Sequence, residues 1–296
     1  MENEHKSVLV WSGFIVLSLA GGILWFENRQ QSTQYVAENT AHISAALVSP
    51  DALVEVPVLT EERRQPSDPS RRYSVDITYP RVALVQHPEL AKEANAVIDA
   101  FVQDAINVFI GNVNDITPPT ETNALESDYT MRDHALLLSP TVISLRFDHS
   151  EYIAGAAHPD NQTRILNYDI ERHLLLATSD LFASSTAALP FLSEYTRNYF
   201  KRAIPDSNKD DKYQHMVIPG TAPTHENFEE VAITKNGLLV IFDPYQVAPY
   251  ARGTIEVPIP ESDLAGMLSP SVERAIKLAT TNITEATLEG TTTGSE

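Results

Sequence analysis

Residues 231–242 read VAITKNGLLVIF, two runs of strand-forming residues divided by Asn236-Gly237. Asn and Gly tolerate the positive φ that a type I′ turn requires, so this stretch predicts a β-hairpin with Asn236-Gly237 at its turn. A hairpin places an antiparallel sheet in the molecule, and the neighbouring segments show what surrounds it. Downstream, residues 253–259 carry Ile255, Val257 and Ile259 on one face. Pro258 lacks a ladder donor, which predicts an edge strand. A closing helix is expected at residues 270–279, and from Thr281 the Thr-rich acidic stretch loses periodicity and reads as a disordered tail.

Upstream, residues 205–227 are charged and broken by Pro219, Gly220 and Pro223, the composition of a long loop. Before them, residues 189–204 place Phe191, Leu192, Tyr195, Tyr199 and Phe200 at helical spacing, and Ser179-Asp180 opens a short helix. Strand signals occur at residues 134–138, 141–147 and 164–170, with Pro140 at a turn. Tyr73, Val75, Ile77 and Tyr79 alternate with polar residues, the period of a half-buried strand. Pro88 then opens a helix with a stripe of Leu90, Ala94, Val97, Phe101, Ala105 and Phe109. So large an aromatic stripe is core packed against a sheet. Strands come in runs, helices are interspersed, and no βαβ unit repeats. The fold class is therefore α+β, an antiparallel sheet packed by helices.

At the amino end, residues 8–26 read VLVWSGFIVLSLAGGILWF without a charge. At about 1.5 Å rise per residue this predicts one transmembrane helix preceding the folded body. Trp11 and Trp25, the only tryptophans, sit near its ends as interfacial anchors. Trp25-Phe26-Glu27-Asn28 is too bulky for signal cleavage, so an uncleaved signal anchor is expected. Lys6 and the amino terminus nearly balance Arg29. The short leader, residues 1–7, is placed in the cytoplasm and the body outside, as a single-pass cell membrane protein. Residues 27–70, dotted with Pro50, Pro57, Pro66 and Pro69 and with a short helix at 40–48, read as a stalk. Residues 267–296 make up the terminal helix and tail.

Charge and composition exclude several activities. With 40 acidic and 21 basic side chains the net charge is −19, which opposes nucleic acid and favours cationic partners. The absence of cysteine removes thiol catalysis, disulfides, iron–sulfur clusters and cysteine zinc sites. The nine histidines show no metal-ligand spacing, so no metal and no cofactor is expected. Phe147-Asp148-His149-Ser150-Glu151 places Asp, His and Ser side by side. Neighbours on a strand point to opposite faces, so no catalytic residues are assigned there. Two loop segments hold the candidate ligand-binding residues. Tyr152 and His158 flank Gly155-Ala156-Ala157, a tight turn or a ligand-contacting loop. Tyr245, Tyr250 and Arg252 follow the hairpin with the composition of a binding hot spot, or of a crossover whose tyrosines cover the core.

Five segments occur in a recognisable order: residues 73–80 with the following helix; SPTVISLRFDHSEYIAGAAHP at 139–159; Asn167-Tyr168-Asp169; Asn227-Phe228; and FDPYQVAPYARG at 242–253. Together they resemble the exported domain of unknown function shared by RsiV-type anti-sigma factors and the region preceding the catalytic unit of PdaC-type peptidoglycan deacetylases. The resemblance implies a PdaC N-terminal-like subdomain at 71–157 and an RsiV C-terminal-like subdomain at 158–266. Seven residues before the span are too few to hold a sigma factor, and no deacetylase unit is read downstream. The resemblance implies an envelope-facing binding or sensing module for peptidoglycan or a cationic wall-active protein such as lysozyme, which the anti-sigma members bind. The alternatives are an envelope carbohydrate-active enzyme with an unrecognised site and a structural subunit of a membrane complex.

Overall fold

Tyr73, Val75, Ile77 and Tyr79 are buried while Ser74, Asp76 and Thr78 are half-exposed, and this alternation seats the strand β3 (Tyr73–Ala83) in the first of two sheets. The computed structural model describes residues 55–115, 126–203 and 211–291. The expected leader, the anchor at 8–26 and the short helix at 40–48 lie outside the described residues.

After β3, Pro88 occupies the first turn of α1 (Pro88–Asn114), where its missing N–H costs nothing. Leu90, Ala94, Ile98, Val102, Ile106 and Phe109 are buried along one face, with Val97, Phe101 and Ala105 packed beside them. The Asn95 amide fastens this helix to β3. Its Nδ2 donates to Val82 O and its Oδ1 accepts from Val82 N, both at 2.8 Å. Among the described residues α1 alone is long and apolar enough to cross a bilayer by length and composition. Its buried stripe on the sheet marks it as the core helix.

The chain then returns as β4 (Ser127–Leu138), β5 (Val142–Tyr152), β6 (Asp160–Asp169) and β7 (Leu174–Leu175). The sheet order is β1-β3-β4-β5-β6-β7, with β1 (Val58–Arg64) at one edge and β2 (Ser67–Asp68) beside β3. The expected antiparallel sheet is in fact mixed. α1 carries the chain over the sheet so that β3 and β4 run parallel, while the other pairs are antiparallel. Residues 58–68 also depart from the expected stalk. Their charges, read as linker composition, protect and tie down an edge strand. Arg63 donates to Asp76 at 2.8 and 2.9 Å, Arg64 to Asp99 at 2.8 Å, and Tyr79 Oη donates to Glu62 at 2.5 Å. Two arginines (Arg63 and Arg132) hold the Asp76 carboxyl down at about 2.

The second layer begins with a 3₁₀ turn at Thr178–Leu181 and α2 (Ser185–Ala203). The segment expected to be a loop at 205–227 contains α3 (Asp211–Gly220) and a 3₁₀ turn at Glu226–Phe228. Pro219 does not break α3, because it sits in the final turn. The hairpin follows as β8 (Val231–Thr234) and β9 (Gly237–Phe242), and β10 (Ile255–Pro260) forms the expected edge with Pro258 exposed. The turn differs in detail. Thr234 pairs with Gly237, and neither Lys235 nor Asn236 takes a positive φ. Glycine is required at 237 because φ is 131° and a Cβ would lie 2.2 Å from Ile259 O, where β10 passes. The helix α4 (Pro270–Thr291) continues beyond Thr281, where a tail was expected. Its Val272, Ala275, Ile276 and Ala279 close a second core with Phe200, Phe228, Phe242 and Val257.

β8 lies with its outer edge against the face of the first sheet, and side chains complete that edge. Asn167 Nδ2 donates to Val231 O at 2.8 Å, and Ile233 N donates to Ser144 Oγ and Asn167 Oδ1 at 3.2 and 3.3 Å. Ser144 Oγ donates to Asn167 Oδ1 at 2.7 Å, and both residues are buried. Asn167→Ala strands these groups without water and is expected to cost about 2 kcal/mol in urea denaturation. A loss below about 0.5 kcal/mol would mean that the edge finds other partners.

Candidate functional site

In the β5–β6 ladder Asp148 pairs with Thr163, His149 with Gln162 and Ser150 with Asn161. Even-numbered residues of β5 therefore share one face with Asn161 and Thr163, and odd-numbered ones face α1. On the first of these faces Arg146 pairs with Glu256 of β10 in the second sheet. Beyond it lies an open depression of about 240 Å³, bordered by Thr130, Asp148, Ser150, Asn161, Thr163 and Thr254. Its charges are matched locally. Arg146 Nε donates to Asp148 Oδ1 at 2.8 Å, and Thr163 Oγ1 donates to the same oxygen at 2.8 Å.

Three rings gather beside this depression, although His158 and Tyr245 are 87 residues apart in the chain. His158 and Tyr250 lie 4.2 Å apart between centroids at 31°, Tyr245 and Tyr250 5.4 Å apart at 33°. Tyr245 Oη and His158 Nε2 are 3.5 Å apart. Tyr250 Oη donates to Pro159 O at 2.9 Å and accepts from Asn161 Nδ2 at 2.7 Å, so Asn161 joins the ring cluster to the depression. His158 Nδ1 lies 2.8 Å from Pro159 O, as a turn-stabilising imidazole would. The His158 segment is thus a braced turn that leaves its imidazole exposed.

Tyr245 is 53% exposed and takes a φ of 71°, a left-handed conformation that costs a non-glycine residue about 1 kcal/mol. The surrounding turn holds it there. Gln246 N donates to Asp243 O at 3.1 Å, and Asp243 N to Gln246 Oε1 at 3.3 Å. Gln246 Nε2 in turn donates to Asn227 O at 2.9 Å and Gly220 O at 3.3 Å. Gly220 fits because a Cβ there would lie 2.0 Å from Gln246 O. The Asp243 carboxylate caps the free edge of β6, accepting from Thr163 N at 2.8 Å and Arg164 at 3.1 Å. Glu230 does the same one step along, accepting from Ile165 N at 2.6 Å. Burial pushes the Asp243 carboxyl up, against the opposing pull of Arg164.

Behind the depression, Tyr129 Oη lies 2.6 Å from His149 Nδ1, and burial drives the His149 imidazole down to about 3. Its Nε2 is buried beyond hydrogen-bond geometry from any partner among the described residues, and Gln162 opposite bonds with Asp160 and Arg164. Burial likewise pushes the Tyr129 phenol up. His149 and Asp148 serve opposite faces of β5, so their adjacency in sequence builds no proton relay.

Of the expected ligand residues, the structure brings His158, Tyr245 and Tyr250 together. Arg252 is exposed at the end of the same 3₁₀ turn, Tyr250–Arg252. Tyr152 stands apart at the end of β5, half-buried opposite Asp128. No local spacing marks Asn161, Asp243 and Gln246, since each acts on a partner distant in the chain or through a turn.

Residues 179–262 match the family model described as Protein of unknown function (DUF3298), spanning the layer that holds β8, β9 and β10. The chain is 27% identical over 188 residues, 62% of its length, to the peptidoglycan-N-acetylmuramic acid deacetylase PdaC of Bacillus subtilis. It is 23% identical over 116 residues, 39% of its length, to the immunogenic protein MPT64 of Mycobacterium tuberculosis. The matches span 38% of PdaC and 48% of MPT64. The resemblance to PdaC-type proteins and to a domain of unknown function therefore holds. Crystal structures of DUF3298 proteins share the fold. The Bacteroides fragilis protein aligns with a TM-score of 0.57 at 19% identity, covering 75% of this chain and 99% of its own. The Pseudomonas aeruginosa protein aligns with a TM-score of 0.50 at 14% identity, covering 73% and 94%.

Proposed function

We propose that the chain is a membrane-anchored, extracytoplasmic binding module that engages the cell wall through the loop cluster of His158, Tyr245 and Tyr250. The observation that carries this reading is the convergence of three rings from two distant segments, with Tyr245 held exposed at an unfavourable φ. Structures maintain such strain where a side chain must be presented. The apolar run at 8–26 supports attachment to the membrane, and kinship with a deacetylase named for peptidoglycan supports the envelope. A net charge of −19 favours a second reading, capture of a cationic wall-active protein such as lysozyme.

Co-sedimentation of the full chain with purified sacculi, and retention on immobilised lysozyme, at low and high salt tests both. Wall binding should persist in salt and fall by about ten-fold or more in Tyr250→Ala, as for an aromatic anchor. Retention by lysozyme that salt abolishes favours the second reading. Binding to neither overturns the proposal.

A further inference from the structure

Resting on that reading, we infer that the ligand held at this site is an uncharged carbohydrate. One pyranose ring stacks on the Tyr245–Tyr250 surface, and its neighbour sets hydroxyls against Thr130, Ser150, Asn161 and Thr254. The hydroxyls of Thr130, Ser150 and Thr254 border the depression and make no hydrogen bond among the described residues, and Asn161 Oδ1 is equally available. Each hydroxyl both donates and accepts, which is what a polyol offers in return. The exposed tyrosine face supplies the flat apolar surface that matches the C–H face of a sugar ring. Anchoring Tyr250 Oη between Pro159 and Asn161 fixes that surface in advance and lowers the ordering cost of binding.

Charge excludes the neighbouring ligand classes. The cation bordering the depression, Arg146, is paired with Asp148 and Glu256, so a phosphate or carboxylate ligand would meet two carboxylates around one guanidinium. A lipid or apolar peptide would bury the three unpaired hydroxyls without partners. A neutral glycan meets neither penalty.

The test is saturation-transfer NMR and calorimetry on the full chain with β-1,4-linked tetramers of N-acetylglucosamine and of glucose. Saturation should concentrate on the axial C–H protons of one ring. Tyr245→Ala should weaken binding about ten-fold or more and Tyr245→Phe less than about two-fold. Ser150→Ala should weaken it about three-fold to ten-fold, and Lys277→Ala on α4 should leave it unchanged. Failure of both tetramers to bind, or binding indifferent to Tyr245→Ala, overturns the inference. Sacculus binding retained in that outcome leaves the wall-binding reading intact. Tetramer binding without sacculus binding does the reverse.

Discussion

Asp243→Ala is expected to lower the unfolding free energy of the folded body by about 3–5 kcal/mol, because it removes one partner of a buried ion cluster. Arg164 would keep Glu230, 3.7 Å away, but would lose the carboxylate at 3.1 Å. The N–H of Thr163, on a buried residue, would lose its acceptor as well. The same change detaches the turn that carries Tyr245 from β6, although its backbone bonds to Gln246 remain, so ligand affinity should fall along with stability. Asp243→Asn separates the two effects. Its side-chain oxygen still accepts from Thr163 N, so the turn should survive, while the lost charge still weakens the cluster. Urea denaturation of both variants provides the check, and a loss below about 1 kcal/mol in Asp243→Ala would show that the cluster is not needed to hold β6.

Acidification should destabilise the fold through His149. Its folded pKa of about 3 lies below the value near 6.5 of a free imidazole. Between those limits the unfolded chain takes up a proton that the native state refuses. Stability therefore falls as pH drops from about 6.5 toward 3, and is fully retained above that window. The gap corresponds to about 3–5 kcal/mol, the lower figure allowing for water at the outer edge of this half-buried residue. Raised carboxyls at Asp169, Asp243 and Glu151 act with the opposite sign, because the native state protonates first, so the wild-type curve alone is ambiguous. The informative quantity is the difference between wild type and His149→Gln, measured by urea denaturation from pH 7 to pH 3. The two curves should diverge steadily on acidification. Parallel curves would show that His149 protonates freely in the folded protein.

Elements with strong local periodicity were readable from the sequence. β3, α1 and the β8–β9 hairpin each carry their own signature, and Pro258 marked β10 as an edge. What escaped depended on partners elsewhere in the chain. β1 is rich in charge, and partners on β3 (Asp76 and Tyr79) and on α1 (Asp99) make that composition a strand. Gly237 carries the positive φ of a turn residue, and its second need for a bare Cα, the passage of β10 some twenty residues later, leaves no local signal. The parallel β3–β4 pair left no mark in either strand, since direction is set by the α1 crossover. At the site, aromatic and histidine residues in loops drew notice for their composition. Their assembly into one surface depends on Asn161 and on the Asp243–Gln246 turn, which no residue spacing announces.

The borders of the DUF3298 match, 179 and 262, do not coincide with a self-sufficient building block. The smaller sheet borrows Ser144 and Asn167 to finish β8, while the larger borrows Glu230 and Asp243 to finish β6. Each half thus holds the missing stitches of the other. Severing the chain near residue 178 would leave two raw seams instead of two modules, and a graft of this fold into another protein must carry both halves.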